Sequence, residues 1–166
     1  MKTKAYLAGR MSKNPNDVKW REEITPFLEE LGFEVLNPYK LEPLQLKGLR
    51  PSRLPEGFQH WYELRDSEDP LHVERFMKYM RRIIKFDIHI VNNIADLVIV
   101  YWDKGCKDGA GTHSEMTSAF ITGKPVYCVL EKGTRLPAWA RGCCEELFDS
   151  FEDLKKFLVE DWSERD

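Results

Sequence analysis

Two carboxylates in this sequence occupy positions that ordinary solvation does not explain. Asp87 has Ile83, Ile84, Ile90 and Val91 three and four residues away, with Met80 one turn further back. On a helix this spacing sets the acid in the middle of an apolar stripe, where desolvation raises its pKa. A carboxyl that keeps its proton at neutral pH is what a general acid requires. The competing reading ends a helix near Lys85-Phe86 and leaves Asp87 capping or exposed. Glu115 closes the string Asp108-Gly109-Ala110-Gly111-Thr112-His113-Ser114-Glu115. Its plain explanation is a capping box, Thr112-x-x-Glu115, in which the glutamate only satisfies backbone N–H groups. Its chemical explanation sets a carboxylate on the first turn of a helix at a ligand-binding edge. There it could attack a sugar anomeric carbon, as the nucleophile of a retaining glycosidase does. Tyr6 is either a core aromatic or a hydroxyl brought to the same edge.

These side chains need a scaffold, and the hydrophobic periodicities supply one. Ala5-Tyr6-Leu7-Ala8 is a short apolar run ending at Gly9 and predicts a first buried strand. Trp20, Ile24, Phe27, Leu28 and Leu31 recur at helical spacing from Asp17 to Leu31, and Gly32 stands where a helix ends. Phe33 to Leu36 forms a second strand, stopped by Asn37-Pro38. From His72 to about Asn92 the pattern is helical again. Leu97 to Tyr101 is apolar throughout, the mark of a strand covered on both faces. A helix from Thr112 to Thr122, a strand from Val126 to Leu130 and a short strand near Leu147-Phe148 follow. Ser150 then caps a last helix striped by Phe151, Leu154, Phe157 and Leu158. Strand and helix alternate, so the expected fold is α/β: a single doubly wound, flavodoxin- or Rossmann-like domain over residues 1–166. Five parallel strands carry helices on both faces. The segment from about 39 to 71 shows little periodicity and reads as a long loop or lid. Lys40 to Lys85 carries 10 basic and 7 acidic residues, +3 against −6 elsewhere, which suits a cover over a polar or anionic ligand.

Composition narrows the partners. The 166 residues hold 25 Lys plus Arg against 28 Asp plus Glu, a net charge of −3 that disfavours a nucleic-acid polymer. No apolar run approaches the roughly 18 residues of a membrane span, so no membrane partner and a cytoplasmic location are expected. The four cysteines and four histidines lack the spacing of a zinc site, and no metal or organic cofactor is expected.

In a doubly wound sheet the ligand lies beyond the carboxyl ends of the strands, where the strand order reverses. Gly9 and Arg10 follow the first strand; Asp103 follows the third and leads to Asp108, Gly109, Gly111 and Thr112. These seven are the expected substrate-binding residues. The glycines and the helix start suit a phosphate, and Arg10 offers a planar fork for one.

Taken in order, these pieces resemble the nucleoside 2-deoxyribosyltransferase-like family, including its deoxynucleoside 5′-monophosphate N-glycosidases. The resemblance runs from Lys4 to about Leu154. It rests on Tyr6-Leu7-Ala8-Gly9, Asn37-Pro38, Asp87 with Ala95-Asp96-Leu97-Val98-Ile99-Val100, Gly109 to Met116, and Gly123-Lys124-Pro125-Val126. It implies that Glu115 attacks C1′ of a (deoxy)ribose, that Asp87 gives a proton to the leaving base, and that Tyr6 orients the glutamate. A second base or water would complete the reaction. It also implies a small-molecule nucleoside or nucleotide partner and a homodimer or higher homo-oligomer. The sequence departs from the transferases in having no asparagine between Leu136 and Phe148. Gly-x-Gly-Thr-x-x-Glu also resembles the cytokinin-activating phosphoribohydrolases, without their Pro-Gly-Gly start. A non-catalytic nucleotide sensor, with Glu115 only as a cap, is the further alternative.

Overall fold

A computed structural model describes residues 2–11, 15–45 and 64–163. Five strands form one sheet: β1 (Lys4–Gly9), β2 (Glu34–Leu36), β3 (Leu97–Trp102), β4 (Val126–Leu130) and β5 (Glu146–Phe148). Their order is β2-β1-β3-β4-β5, and every pairing is parallel. This is the doubly wound arrangement expected from the alternating pattern. Its order reverses between β1 and β3, whose ends align as Gly9 beside Tyr101.

Six α-helices are described: α1 (Pro15–Glu30), α2 (Pro38–Gln45), α3 (Pro70–Asn93), α4 (Ala110–Ile121), α5 (Ala138–Cys143) and α6 (Phe151–Ser163). The two-residue period of the strands divides the core between two layers. Ala5, Leu7, Leu97 and Ile99 meet Trp20, Ile24 and Leu28 of α1 and Leu154 and Leu158 of α6. Tyr6, Ala8, Val98, Val100 and Trp102 meet α3, α4 and α5 through Ile90, Val91, Met116, Ala119 and Ala140. Tyr6 is therefore turned toward the helix that carries Glu115.

Two helices lie where the sequence predicts none. The segment expected as loop from 39 begins as α2, because Asn37-Pro38 starts a helix as well as stopping a strand. Asn37 Oδ1 accepts from the Tyr39 N–H at 3.1 Å, and Pro38 fills a first-turn position that needs no donor. The short α5 has only one turn and a half, too little for a periodic signal. α3 starts two residues before His72, with Asp69 accepting from the Leu71 N–H at 2.9 Å and Pro70 next to it. The middle of the expected lid, 46–63, lies outside the described residues. No described helix is long and apolar enough to cross a membrane.

Candidate active site

Asp87 belongs to an unbroken α3, not to a helix end. The buried residues of that helix are Tyr79, Ile83, Asp87, Ile90 and Val91, one stripe at helical spacing, and Asp87 is 8% exposed. Among the described residues its Oδ1 is buried without a hydrogen-bond partner. Burial alone pushes the carboxyl up to about 7.

Glu115 is not a cap either. α4 begins at Ala110 with Gly109 as its cap residue and no side chain bonding the cap, so Thr112 and Glu115 both lie inside the helix. Thr112, Glu115, Met116 and Ala119 form its buried stripe. Two layers thus converge: the stripe of α4 faces the sheet, and the even residues of β1 face α4. The Tyr6 hydroxyl donates to Glu115 Oε1 at 2.7 Å. Burial, then the charge of Asp87, raises Glu115 to about 8, against the opposing pull of the Tyr6 hydrogen bond and the Arg21 charge.

Asp87 and Glu115 line one cavity of about 460 Å³ beyond the ends of β1 and β3, the position that strand order assigns to a ligand. Gly9, Arg10, Asp108, Gly109, Gly111 and Thr112 line it too, and α3 adds an apolar wall of Met80, Ile83, Ile84 and Ile88. Gly9 is needed there for space: a Cβ would lie 3.0 Å from the Tyr101 carbonyl oxygen and 3.2 Å from the Trp20 ring. A Cβ on Gly109 or Gly111 would meet nothing within 4 Å, so those two glycines leave open room on the cavity side of α4. Among the described residues no group of three or more His, Cys, Asp or Glu could hold a metal ion.

Asp103 does not line this cavity. Its Oδ1 accepts from the Gly105 and Cys106 N–H groups at 2.8 and 3.0 Å, holding the turn after β3, and its Oδ2 lies 3.4 Å from Arg10 Nε. Arg10 is also paired with Asp17, Nη2 to Oδ1 at 3.2 Å. Gly105 makes room for that guanidinium, since a Cβ there would overlap it.

The sequence reading missed Arg21, Gly105 and Cys106. Arg21 is fully buried although Asp17, Arg21, Ile24 and Leu28 share one helical face. That spacing was the available signal: a charge on an apolar stripe, as at Asp87. Gly105 and Cys106 had none, because only the fold brings their turn against Arg10.

No protein-family model matches the sequence, and no curated protein is significantly similar to it. Solved structures do match. A 2-deoxyribosyltransferase from Bacillus psychrosaccharolyticus superposes with a TM-score of 0.55 at 20% identity, covering 92% of this chain and 90% of its own. The Clostridium botulinum CMP N-glycosidase BcmB gives 0.52 at 17%, covering 95% and 99%. This chain has their fold.

Proposed function

We propose that the protein cleaves the N-glycosidic bond of a (deoxy)nucleoside or its 5′-monophosphate through a covalent intermediate on Glu115. One observation carries this: two buried carboxylates face one cavity at the switch point of the sheet, one hydrogen-bonded to a buried tyrosine and one with an oxygen that finds no partner among the described residues. The enzymes named above act on bonds of this class, a 2-deoxyribosyl group in one and CMP in the other.

The pair shares one proton near neutral pH, since neither acid ionises easily beside the other. The higher value belongs to Glu115, but part of its rise is the charge on Asp87 and disappears once Asp87 is protonated. The Tyr6 hydrogen bond favours a charged Glu115, whereas among the described residues nothing hydrogen-bonds a charged Asp87 Oδ1. The proton therefore rests on Asp87 and the charge on Glu115. Glu115 attacks C1′ as the bond from C1′ to the base nitrogen breaks, and the Asp87 proton goes to the departing base. The product is a glycosyl ester of Glu115 and a free base. Water or a second base then attacks C1′, gives its proton to Asp87, and releases Glu115. A base stacked on the Met80, Ile83 and Ile84 wall would sit against Asp87. A sensor that needs Glu115 only as a cap loses its motive, because that carboxylate bonds Tyr6 instead.

At the 5′ end, Arg10 is already held by Asp17 and Asp103. A phosphate would have to compete with two carboxylates for Arg10. Incubation with a panel of nucleosides and 5′-monophosphates, with and without an acceptor base, tests the whole reading. Base release from the nucleosides is expected, and a panel left intact would refute it.

A further inference from the structure

Arg21 is the largest buried charge that the proposed chemistry leaves unused. It is 0% exposed, and its guanidinium is held by main-chain oxygens. Nε donates to the Leu7 carbonyl at 3.2 Å, Nη2 to the Gly9 carbonyl at 3.0 Å, and Nη1 to the Arg10 carbonyl at 3.4 Å and to the Asp17 carbonyl. The Trp20 and Tyr39 rings cover it, with centroids 4.5 and 5.2 Å from the guanidinium carbon. Three of these four carbonyls belong to the last residues of β1 and the one after it, the strand end that walls the cavity at Gly9 and Arg10.

A buried guanidinium satisfied by neutral carbonyls keeps its positive charge uncancelled at contact distance, and such a charge acts on any anion nearby. The ionisable groups facing it are Asp17 on its own helix, Tyr39 on α2, Tyr6 on β1 and Glu115 on α4. Asp17 already pairs with Arg10. Tyr6 and Tyr39 offer phenol hydroxyls and not carboxylates. Glu115 is left as the anion whose charge answers that of Arg21. The groups that face Glu115 in turn are Asp87 from α3, Tyr6 from β1 and Arg21 from α1, and Arg21 is the cation among them.

We propose that Arg21 is a positioning residue for the reaction, fixing the end of β1 along the cavity and supplying the counter-charge that keeps the Glu115 carboxylate ionised. The inference rests on the glycosyl-transfer reading for its chemical meaning, but its electrostatic half stands without it. A merely structural arginine would hold the strand end and leave the titration of Glu115 alone.

The test compares Arg21→Gln, which removes the charge, with Arg21→Lys, which keeps the charge and loses the fork. Arg21→Met replaces the glutamine variant should that one fail to fold. Carbon-13 NMR titration of the Glu115 carboxyl in the intact, substrate-free protein reads the charge directly, assigned by the signal lost in Glu115→Gln. The neutral variant is expected to move this titration upward by about one pH unit, a tenfold change in ionisation, and the lysine variant to leave it near its original place. With a cleaved nucleoside, the acid limb of kcat/KM moves in the same way in the neutral variant, while Arg21→Lys lowers kcat with the limb in place. A Glu115 titration that is the same in the neutral variant and the unmodified protein would overturn the proposal. Because the NMR measurement needs no substrate, failure of the nucleoside panel would count against the reaction and not against this role of Arg21.

Discussion

Asp87 and Glu115 place two buried acids on one cavity, which makes the site sensitive to pH in two measurable ways. Activity should peak near neutral pH: below it Glu115 gains a proton and stops attacking, and above about 7 to 8 Asp87 loses the proton the base needs. Stability follows a different course. Both carboxyls titrate higher in the folded chain than the value of about 4 they have when unfolded. The native state then holds more protons between about pH 4 and 8, and stability falls as pH rises through that window. Asp87→Asn removes its share of that loss. Thermal melts should show it more stable than the parent above pH 7, by on the order of 1–4 kcal/mol, and equal to it near pH 4. The same variant should lose roughly 10²- to 10⁴-fold in kcat. Tyr6→Phe removes a hydrogen bond to a charged group, worth about 1.5–3 kcal/mol, and steady-state rates should fall roughly 10- to 100-fold.

The elements that hold these residues were legible where apolar periodicity sets them. The buried strands β1, β3 and β4, the stripe of α3 around Asp87 and the Ser150 cap of α6 all follow from spacing alone. Ser150 Oγ accepts from the Asp153 N–H at 3.1 Å, as a capping serine does. What escaped the sequence was cooperation between elements. Tyr6 meets Glu115 across 109 positions of chain, and the capping box at Thr112 is locally reasonable until Gly109 is seen to cap the helix three residues earlier. Arg21 had a readable position on the α1 stripe, but only the β1 carbonyls explain why a charge is tolerated there. The α4 start also gives a test at this scale. Gly111→Ala should stabilise α4 by about 0.5 kcal/mol, since its Cβ meets nothing and the helix gains a better former. It should nonetheless raise KM, because that open side is where a sugar would lie. An unchanged KM would remove the glycine from the binding surface.

For the whole molecule, the apolar surface outside the cavity bears on assembly. Ile84, Phe120 and Ile121 are 55%, 59% and 74% exposed, and a hollow between α3 and α4 shares Ile84, Ile88, Gly109 and Ser114 with the cavity. Exposed apolar area of this kind on a chain of net charge −3 is the face expected to join two copies. Light scattering should report a homodimer or larger, and Ile121→Glu with Phe120→Glu should give monomers. A monomer in the unmodified protein would exclude that assembly.

The central claim is a covalent bond between a sugar and Glu115, and mass can be measured directly. A nucleoside carrying fluorine at C2′ slows both steps by withdrawing charge from the oxocarbenium-like transition state, and with a good leaving base the ester should accumulate. Intact-mass analysis of the quenched protein should then show one added fluoro-pentosyl unit, mapped by peptide fragmentation to Glu115 and absent from Glu115→Ala. Release of the base with no adduct, together with turnover retained in Glu115→Ala, would contradict the account.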